Sequence, residues 1–505
     1  MKRIVLIILI LLAGIGGWLY FFERELLNTW MGQQPPTPTA LAPGPKPATK
    51  KTPSSKSAPV TMPEKAKPMA TLTIPSSDGS VFVNGIAVKA GSQIQIPVGT
   101  SVIASYNNDG SYSHELIKGE AEGAYSAQLT HETQGSGTTW TTFQGNEART
   151  GFVSAHKRDA FDPLWQVDLK DKVTCSPVLI GETAFLSSRK SLIVAINLTK
   201  GAVLWKQGVS GSSISPIGTD NFVFAANNMG QFGGYRQEDG KQKGELFLNS
   251  YPTGLALVSA EAFLVSTIEN KVFSVKTKKS WRGKLPLKTN WEIELPELAS
   301  GVGAPVIATG AAIFQTESGL LAINLSTGER RWPTTAAQPQ GEEMVGNMSL
   351  ALRDESHFQT PTPTAVGKIV YAVLGKNLQA VNAEDGKVLW QRSLAHKVTS
   401  SLSHAHGMLF FGTKSGAIEA RSTFDGSPIF ATNVSGMPVF ASPVLFKDRL
   451  IAATGEGGLK MLHCFSGQVL AESKALAGAP ITSTPAVTDR CILAVNSKGL
   501  MVCFK

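Results

Sequence analysis

From about residue 160 onwards, apolar residues come in short runs broken by Gly, Asn, Asp and Ser. Thr183-Ala184-Phe185-Leu186 and Leu192-Ile193-Val194-Ala195 read as neighbouring strands, because such runs are short and rich in β-branched and aromatic residues. A period governs them. Ala195, Asn197, Gly201 and Trp205 recur as Ala322, Asn324, Gly328 and Trp332, and again as Ala380, Asn382, Gly386 and Trp390. Looser copies keep the spacing: Ala420, Ser422, Gly426, Phe430; Met461, His463, Gly467, Ala471; and Arg236, Gly240, Gly244. Trp291 marks a copy with a longer loop after Lys276. The Trp-equivalent positions 165, 205, 244, 291, 332, 390, 430 and 471 are separated by 40, 39, 47, 41, 58, 40 and 41 residues. A period near forty with four strand-like runs per unit predicts propeller blades.

Each repeat position has a physical task. The Gly supplies a turn with positive φ, the Asn bonds the turn backbone, and the Trp opens the outer strand and packs against the neighbouring blade. The chain end, Cys491 to Val495 and Met501 to Phe504, holds strands but no Gly-x3-Trp. The missing outer strand stands at the start, as Leu164 to Leu169. Joining the two removes open sheet edges and predicts an eight-bladed ring closed by its own termini.

Ahead of the repeats, residues 70–132 alternate in short runs: Val81-Phe82-Val83 leads into Asn84-Gly85, and Gln93 to Gly99 into Ser101 to Ala104. This predicts a small β-sandwich, and the order resembles the PEGA domain of bacterial envelope proteins. His114 and His131 are read there as surface residues.

Ile4 to Phe22 is an uncharged apolar run preceded by Lys2 and Arg3. As a helix it is about 28 Å long, enough to cross a hydrocarbon core, with the N-terminus cytoplasmic by the positive-inside rule. A single-pass anchor over residues 1–32 is preferred to a cleaved signal peptide, since Gly14-Ile15-Gly16 is a poor cleavage site. Residues 33–69 are rich in Pro, Lys and Thr and predict a disordered linker that reaches on the order of 100 Å. The domain order expected is then 1–32 anchor, 33–69 linker, 70–132 small β domain and 139–505 propeller.

Composition agrees with a β-rich chain: 505 residues, 17% charged, with 49 Gly and 28 Pro, too few charges for a helix-rich protein of this size. The mean hydropathy of +0.01 excludes a polytopic membrane protein. A net charge of +9 raises the question of nucleic acid, but +5 of it lies between Pro35 and Pro68 and only +3 beyond. A nucleic-acid-binding body is therefore not expected.

The Ala-x-Asn-x3-Gly-x3-Trp copies resemble the tryptophan-docking repeats of PQQ-type eight-bladed propellers. That resemblance implies structural, blade-docking roles for Trp165, Trp205, Gly201, Trp291, Trp332, Gly328, Trp390 and Gly386. It also implies one of two functions, a quinoprotein dehydrogenase or a non-enzymatic envelope scaffold similar to BamB. The dehydrogenases typically carry an adjacent Cys pair, whereas Cys175, Cys464, Cys491 and Cys503 are all apart. HExxH, GxSxG and Walker motifs are absent from the chain. No catalytic, cofactor-binding or metal residue is assigned, and no cofactor is expected. His404-Ala405-His406 places two imidazoles on one strand face without a third ligand, and the structural reading is preferred. Cys491 and Cys503 are expected on paired strands, where a disulfide and two thiols are equally open. Asn197 and Asn324 match glycosylation sequons but sit at the repeat's turn position.

The gap of 58 residues between Trp332 and Trp390 contains an insertion within 336–360. Met344, Met348 and Phe358 are the candidate partner contacts in it, a cap over the channel being the equal alternative. The reading reached is a membrane-anchored periplasmic scaffold of the inner membrane, held through residues 4–22. It contacts other envelope proteins (outer-membrane assembly components or cell wall) and no nucleic acid. The alternative is a PQQ- or metal-dependent oxidoreductase with a cofactor in the channel.

Overall fold

The computed structural model describes residues 69–505 except 78–79, 84–85, 107–111, 121–122, 127–138, 154–158, 209–210, 213, 278–283, 296–303, 317–318 and 333–360. The expected membrane helix, the linker up to residue 68, His131 and the contact residues Met344, Met348 and Phe358 lie outside the described residues. All described residues belong to the compact unit Ala66–Lys505. Their regular elements are all strands, and among them no helix is long and apolar enough to cross a membrane.

Residues 69–126 form two small sheets. Met69–Thr73 lies between Gln93–Pro97 and Ala124–Ser126 in one, and Ser80–Val83 lies between Ile86–Val88 and Gly99–Tyr106 in the other. Val83 pairs with Ile86 across the tight hairpin that the sequence predicts. Between the sheets Leu72, Ile74, Val81, Val83, Ile96 and Ile103 make a small core of their own.

The rest of the chain builds sheets of four antiparallel strands in succession: 178–207, 217–247, 252–294, 306–332, 364–393, 403–433 and 444–473. In the first, Val178–Ile180, Thr183–Leu186, Ile193–Asn197 and Val203–Gln207 follow one another as a meander. The middle strands are continuous apolar runs because both faces are covered, by the preceding sheet and by the next. The outer strands alternate, as in Val203–Gln207, because one side faces solvent.

The last sheet is composite. Pro163–Asp168, from the start of the array, pairs with Leu500–Phe504, which continues to Ile492–Val495 and Ala486–Val487. Trp165 stands opposite Cys503 and Val167 opposite Met501. The apolar cluster that includes Leu169, Leu198, Ile451, Val495 and Phe504 spans this seam, so the first and last sheets share one core. Leu493, and not Cys491, is the residue opposite Cys503 in the ladder.

Two turn types set the ends of each sheet. The hairpins between first and second and between third and fourth strands lie at one end. The middle hairpin and the connector to the next sheet lie at the other. Connectors rest on the middle hairpins: Ile268 N donates to Tyr251 O (2.9 Å), and Val434 N to Gly416 O (3.0 Å).

Candidate functional site

Three features depart from a bare array of sheets. The outermost is the Trp–Gly contact that the repeat predicts. Gly201 has φ 68°, and a Cβ there would lie 2.7 Å from Cδ2 of Trp165, in the preceding sheet. Gly386 meets Trp332 in the same way, at φ 75° and 2.7 Å. Glycine is required twice over at these positions, by the left-handed backbone and by an indole face where a methyl group would be. Each indole also donates across the seam. Trp165 Nε1 reaches Leu198 O at 2.5 Å, Trp205 reaches Gln237 O at 2.9 Å, and Trp291 reaches Leu325 O at 3.1 Å. Trp332 and Trp390 repeat the bond to Ala383 O at 3.1 Å and Thr423 O at 2.9 Å. The turn Asn residues act as expected: Asn197 Oδ1 accepts from Thr199 N and Lys200 N at 3.0 and 2.9 Å.

The second feature has no counterpart in the repeat. Residues 139–153 cross the axis and touch the innermost strands of seven sheets. Trp140 pairs with Leu179, and Thr141 O accepts from Gly218 N at 2.7 Å. Glu147 O accepts from Ile307 N (3.1 Å), Ala148 O from Ala365 N (2.9 Å), Thr150 O from His404 N (2.7 Å) and Gly151 O from Leu445 N (2.8 Å). Phe152–Val153 then runs parallel to Val444–Phe446. The seventh contact is the side chain of Arg149, whose Nη2 donates to Leu255 O at 3.3 Å while its Nε donates to Pro305 O at 3.0 Å. Gln144 Nε2 donates to Leu402 O at 2.7 Å.

Arg149 and Gln144 hold positive φ angles of 55° and 58°, conformations that cost non-glycine residues about 1–3 kcal/mol and persist only where surroundings enforce them. Arg149 is 3% exposed; burial lowers its guanidinium to about 10, and the face of Phe143 lies 5.3 Å from it. Trp140 is fully buried. Seven strand contacts over so few residues make this segment a plug. The axis is filled by the chain itself.

The third feature joins the small sheets to the large array. Phe82 leaves its own sheet's core and stacks on Phe465, with ring centroids 4.4 Å apart at 17°. His406 lies 5.4 Å from Phe82 and 5.6 Å from Phe152, so one imidazole touches both the docked aromatic and the plug. His406 Nε2 approaches Lys447 O at 2.6 Å, and because a carbonyl only accepts, Nε2 carries the proton. Burial lowers His406 to about 4, so the ring is neutral near neutrality.

This corrects the expectation for His404 and His406. Ser403–Ala405 is the strand, and His406 occupies the following turn at φ 52°. The rings therefore diverge, His404 stacking on Tyr371 at 6.4 Å while His406 faces Phe82. Among the described residues no cluster of His, Cys, Asp or Glu is able to hold a metal ion. Cys175 is buried against Ser187, and burial pushes its thiol up to about 12, the reverse of a reactive cysteine.

Comparison with known proteins bears on the same residues. The family model described as outer membrane protein assembly factor BamB matches residues 149–360 and 349–505. The chain belongs to the BamB family. The relative from Yersinia pestis, an outer membrane protein assembly factor BamB, is 21% identical over 367 residues, which are 69% of this chain and 79% of that protein. The crystal structure of BamB from Moraxella catarrhalis superposes with a TM-score of 0.53 at 14% identity, covering 68% of this chain and 99% of that one. The quinohemoprotein alcohol dehydrogenase from Comamonas testosteroni reaches 0.57 at 10% identity, over 73% and 80% of the two chains.

At these identities the structural likeness shows the propeller fold alone, and it extends to dehydrogenases as readily as to BamB. The family match rests on the repeat array, starting within the plug at Arg149. Sequence reasoning missed the plug and the Phe82 socket because neither repeats. The available signals were Trp140, a large aromatic ahead of the first copy, and the Gly145 to Gly151 stretch with its turn residues.

Proposed function

We propose that this BamB-family propeller is a scaffold for protein–protein contacts in the cell envelope. It is anchored in the inner membrane by residues 4–22, with its N-terminus cytoplasmic and its bulk in the periplasm. In this reading residues 33–69 are the linker, 70–132 a PEGA-like domain and 139–505 an eight-bladed ring. The repeat Trp and Gly residues dock each blade on the next. Met344, Met348 and Phe358 in the inserted connector contact the partner, an outer-membrane assembly component or another envelope protein.

The observation that carries this reading is the plug. The oxidoreductase alternative needs room on the axis for its cofactor, and Trp140, Gln144 and Arg149 fill that space with the chain's own atoms. A second observation agrees. At the connector end Met229, Phe247 and Tyr251 are 72%, 62% and 53% exposed, and the turn and connector that carry them touch through the Leu248 N to Gly230 O bond (2.9 Å). Large apolar side chains held out to solvent at one end are what a protein-contact face presents.

The test uses the intact chain. A photo-crosslinking residue at Met229 or Phe247 is expected to give a discrete adduct with an outer-membrane assembly component in cells. Titration with PQQ and Ca²⁺ is expected to give no saturable signal. Stoichiometric quinone binding with alcohol-dependent dye reduction overturns the reading.

A further inference from the structure

Neighbouring sheets are tied at the start of their innermost strands by a repeated hydroxyl link. Ser176 N donates to Ser215 Oγ at 2.9 Å, Thr484 N to Ser176 Oγ at 2.9 Å, and Ser442 N to Thr484 Oγ1 at 3.1 Å. Thr362 N donates to Ser401 Oγ at 3.0 Å. In each case the backbone of one sheet is satisfied by the side chain of the next, at the residue that opens the innermost strand. In six of the eight units that residue is followed by proline: Ser176-Pro177, Ser215-Pro216, Ala304-Pro305, Thr362-Pro363, Ser442-Pro443 and Thr484-Pro485.

Between the 252–294 and 306–332 sheets this link is missing, because the residue that has to supply the hydroxyl is Ala304. Arg149 spans that same seam. Its guanidinium donates to Leu255 O in one sheet and to Pro305 O, next to Ala304, in the other. Elsewhere the plug bonds each sheet singly through its own backbone; here one side chain forks over two.

We propose that Arg149 replaces the absent hydroxyl link, so that the plug is a strap whose function is to close the weak seam of the ring. This explains why a guanidinium is buried with carbonyl oxygens as its hydrogen-bond acceptors. Two carbonyls on different sheets need two donors in fixed geometry, which a planar guanidinium supplies and an ammonium does not. It also explains the tolerated backbone strain at Arg149. The inference concerns the propeller's closure and stands whether or not the scaffold reading holds.

Arg149→Met in the intact chain keeps the volume and removes both donors. Amide exchange at Leu255 to Leu257 and at Val306 to Ala308 is expected to rise on the order of tenfold, with Leu450 to Ala453 unchanged. Adding Ala304→Ser restores a hydroxyl at the seam and is expected to reverse much of that rise. Should Arg149→Met not fold, Arg149→Lys, which keeps the charge and loses the fork, gives the same seam-local pattern at smaller amplitude. An equal rise in all sheets, no rise at the seam, or no recovery with Ala304→Ser overturns the proposal.

Discussion

The rim and the axis hold the same sheets together by opposite means. At the rim one device is copied: an indole on a left-handed glycine, with its N–H on a carbonyl of the next sheet, from Trp165 and Leu198 through to Trp390 and Thr423. On the axis each contact of residues 139–153 is different, and each exists once. A copied device is redundant, since neighbouring seams hold when one weakens, and its cost is spread around the ring. A single strap is not redundant. Damage to it reaches every sheet it touches.

The sharpest break of this comparison is Trp140→Ala against Trp205→Ala. Trp140 is fully buried on the axis whereas Trp205 is half-buried at the rim. We expect Trp140→Ala to cost about 4 kcal/mol and to lower the melting temperature well below that of Trp205→Ala. Equal losses in paired melts erase the distinction between strap and repeat.

Next in size is Gly386→Ala, which places a methyl group 2.7 Å from the Trp332 ring at φ 75°. A loss of about 2 kcal/mol is expected in denaturant titration. Gly367→Ala, at φ 55° but with open space around it, isolates the backbone share and is expected to cost about 1 kcal/mol.

The socket where the two regions meet predicts a pH dependence. His406 is lowered from 6.5 to about 4 by burial, so between those values the unfolded chain binds the proton that the folded chain refuses. Stability is fully present above pH 6.5 and falls as pH drops towards 4, by roughly 1.4 kcal/mol per unit at most. A melting series from pH 7 to 5 checks this, with His406→Gln expected to flatten it; an unchanged slope in that variant assigns the effect to other groups. The smallest effect is Asn382→Ala, which removes the Oδ1 that accepts from Glu384 N at 2.9 Å. About 1 kcal/mol is expected by thermal melts, confined to one turn and unfelt by the axis.

Repeat positions were legible because a period multiplies weak signals. Asn197, Gly201 and Trp205 mean little alone, and their return at Asn324, Gly328 and Trp332 fixes a turn, a positive φ and a packing partner. The pairing of Leu164 to Leu169 with the chain end was readable for a related reason, since an unfilled strand slot and a spare strand imply each other. His404 and His406 misled, because the spacing assumed a continuous strand where a Gly407 turn begins one residue early.

By itself, then, the sequence determined the all-β class, the strand order within a unit and the residues that dock one sheet on the next. These are local or periodic properties, encoded by turn chemistry and alternation within some forty residues. Only the tertiary structure decided where Trp140, Arg149 and Phe82 go. Their partners lie far away in the chain, Arg149 reaching Leu255 and Pro305 across 106 and 156 residues. Such contacts are set by which surfaces meet once the ring has closed, and no spacing along the chain records them.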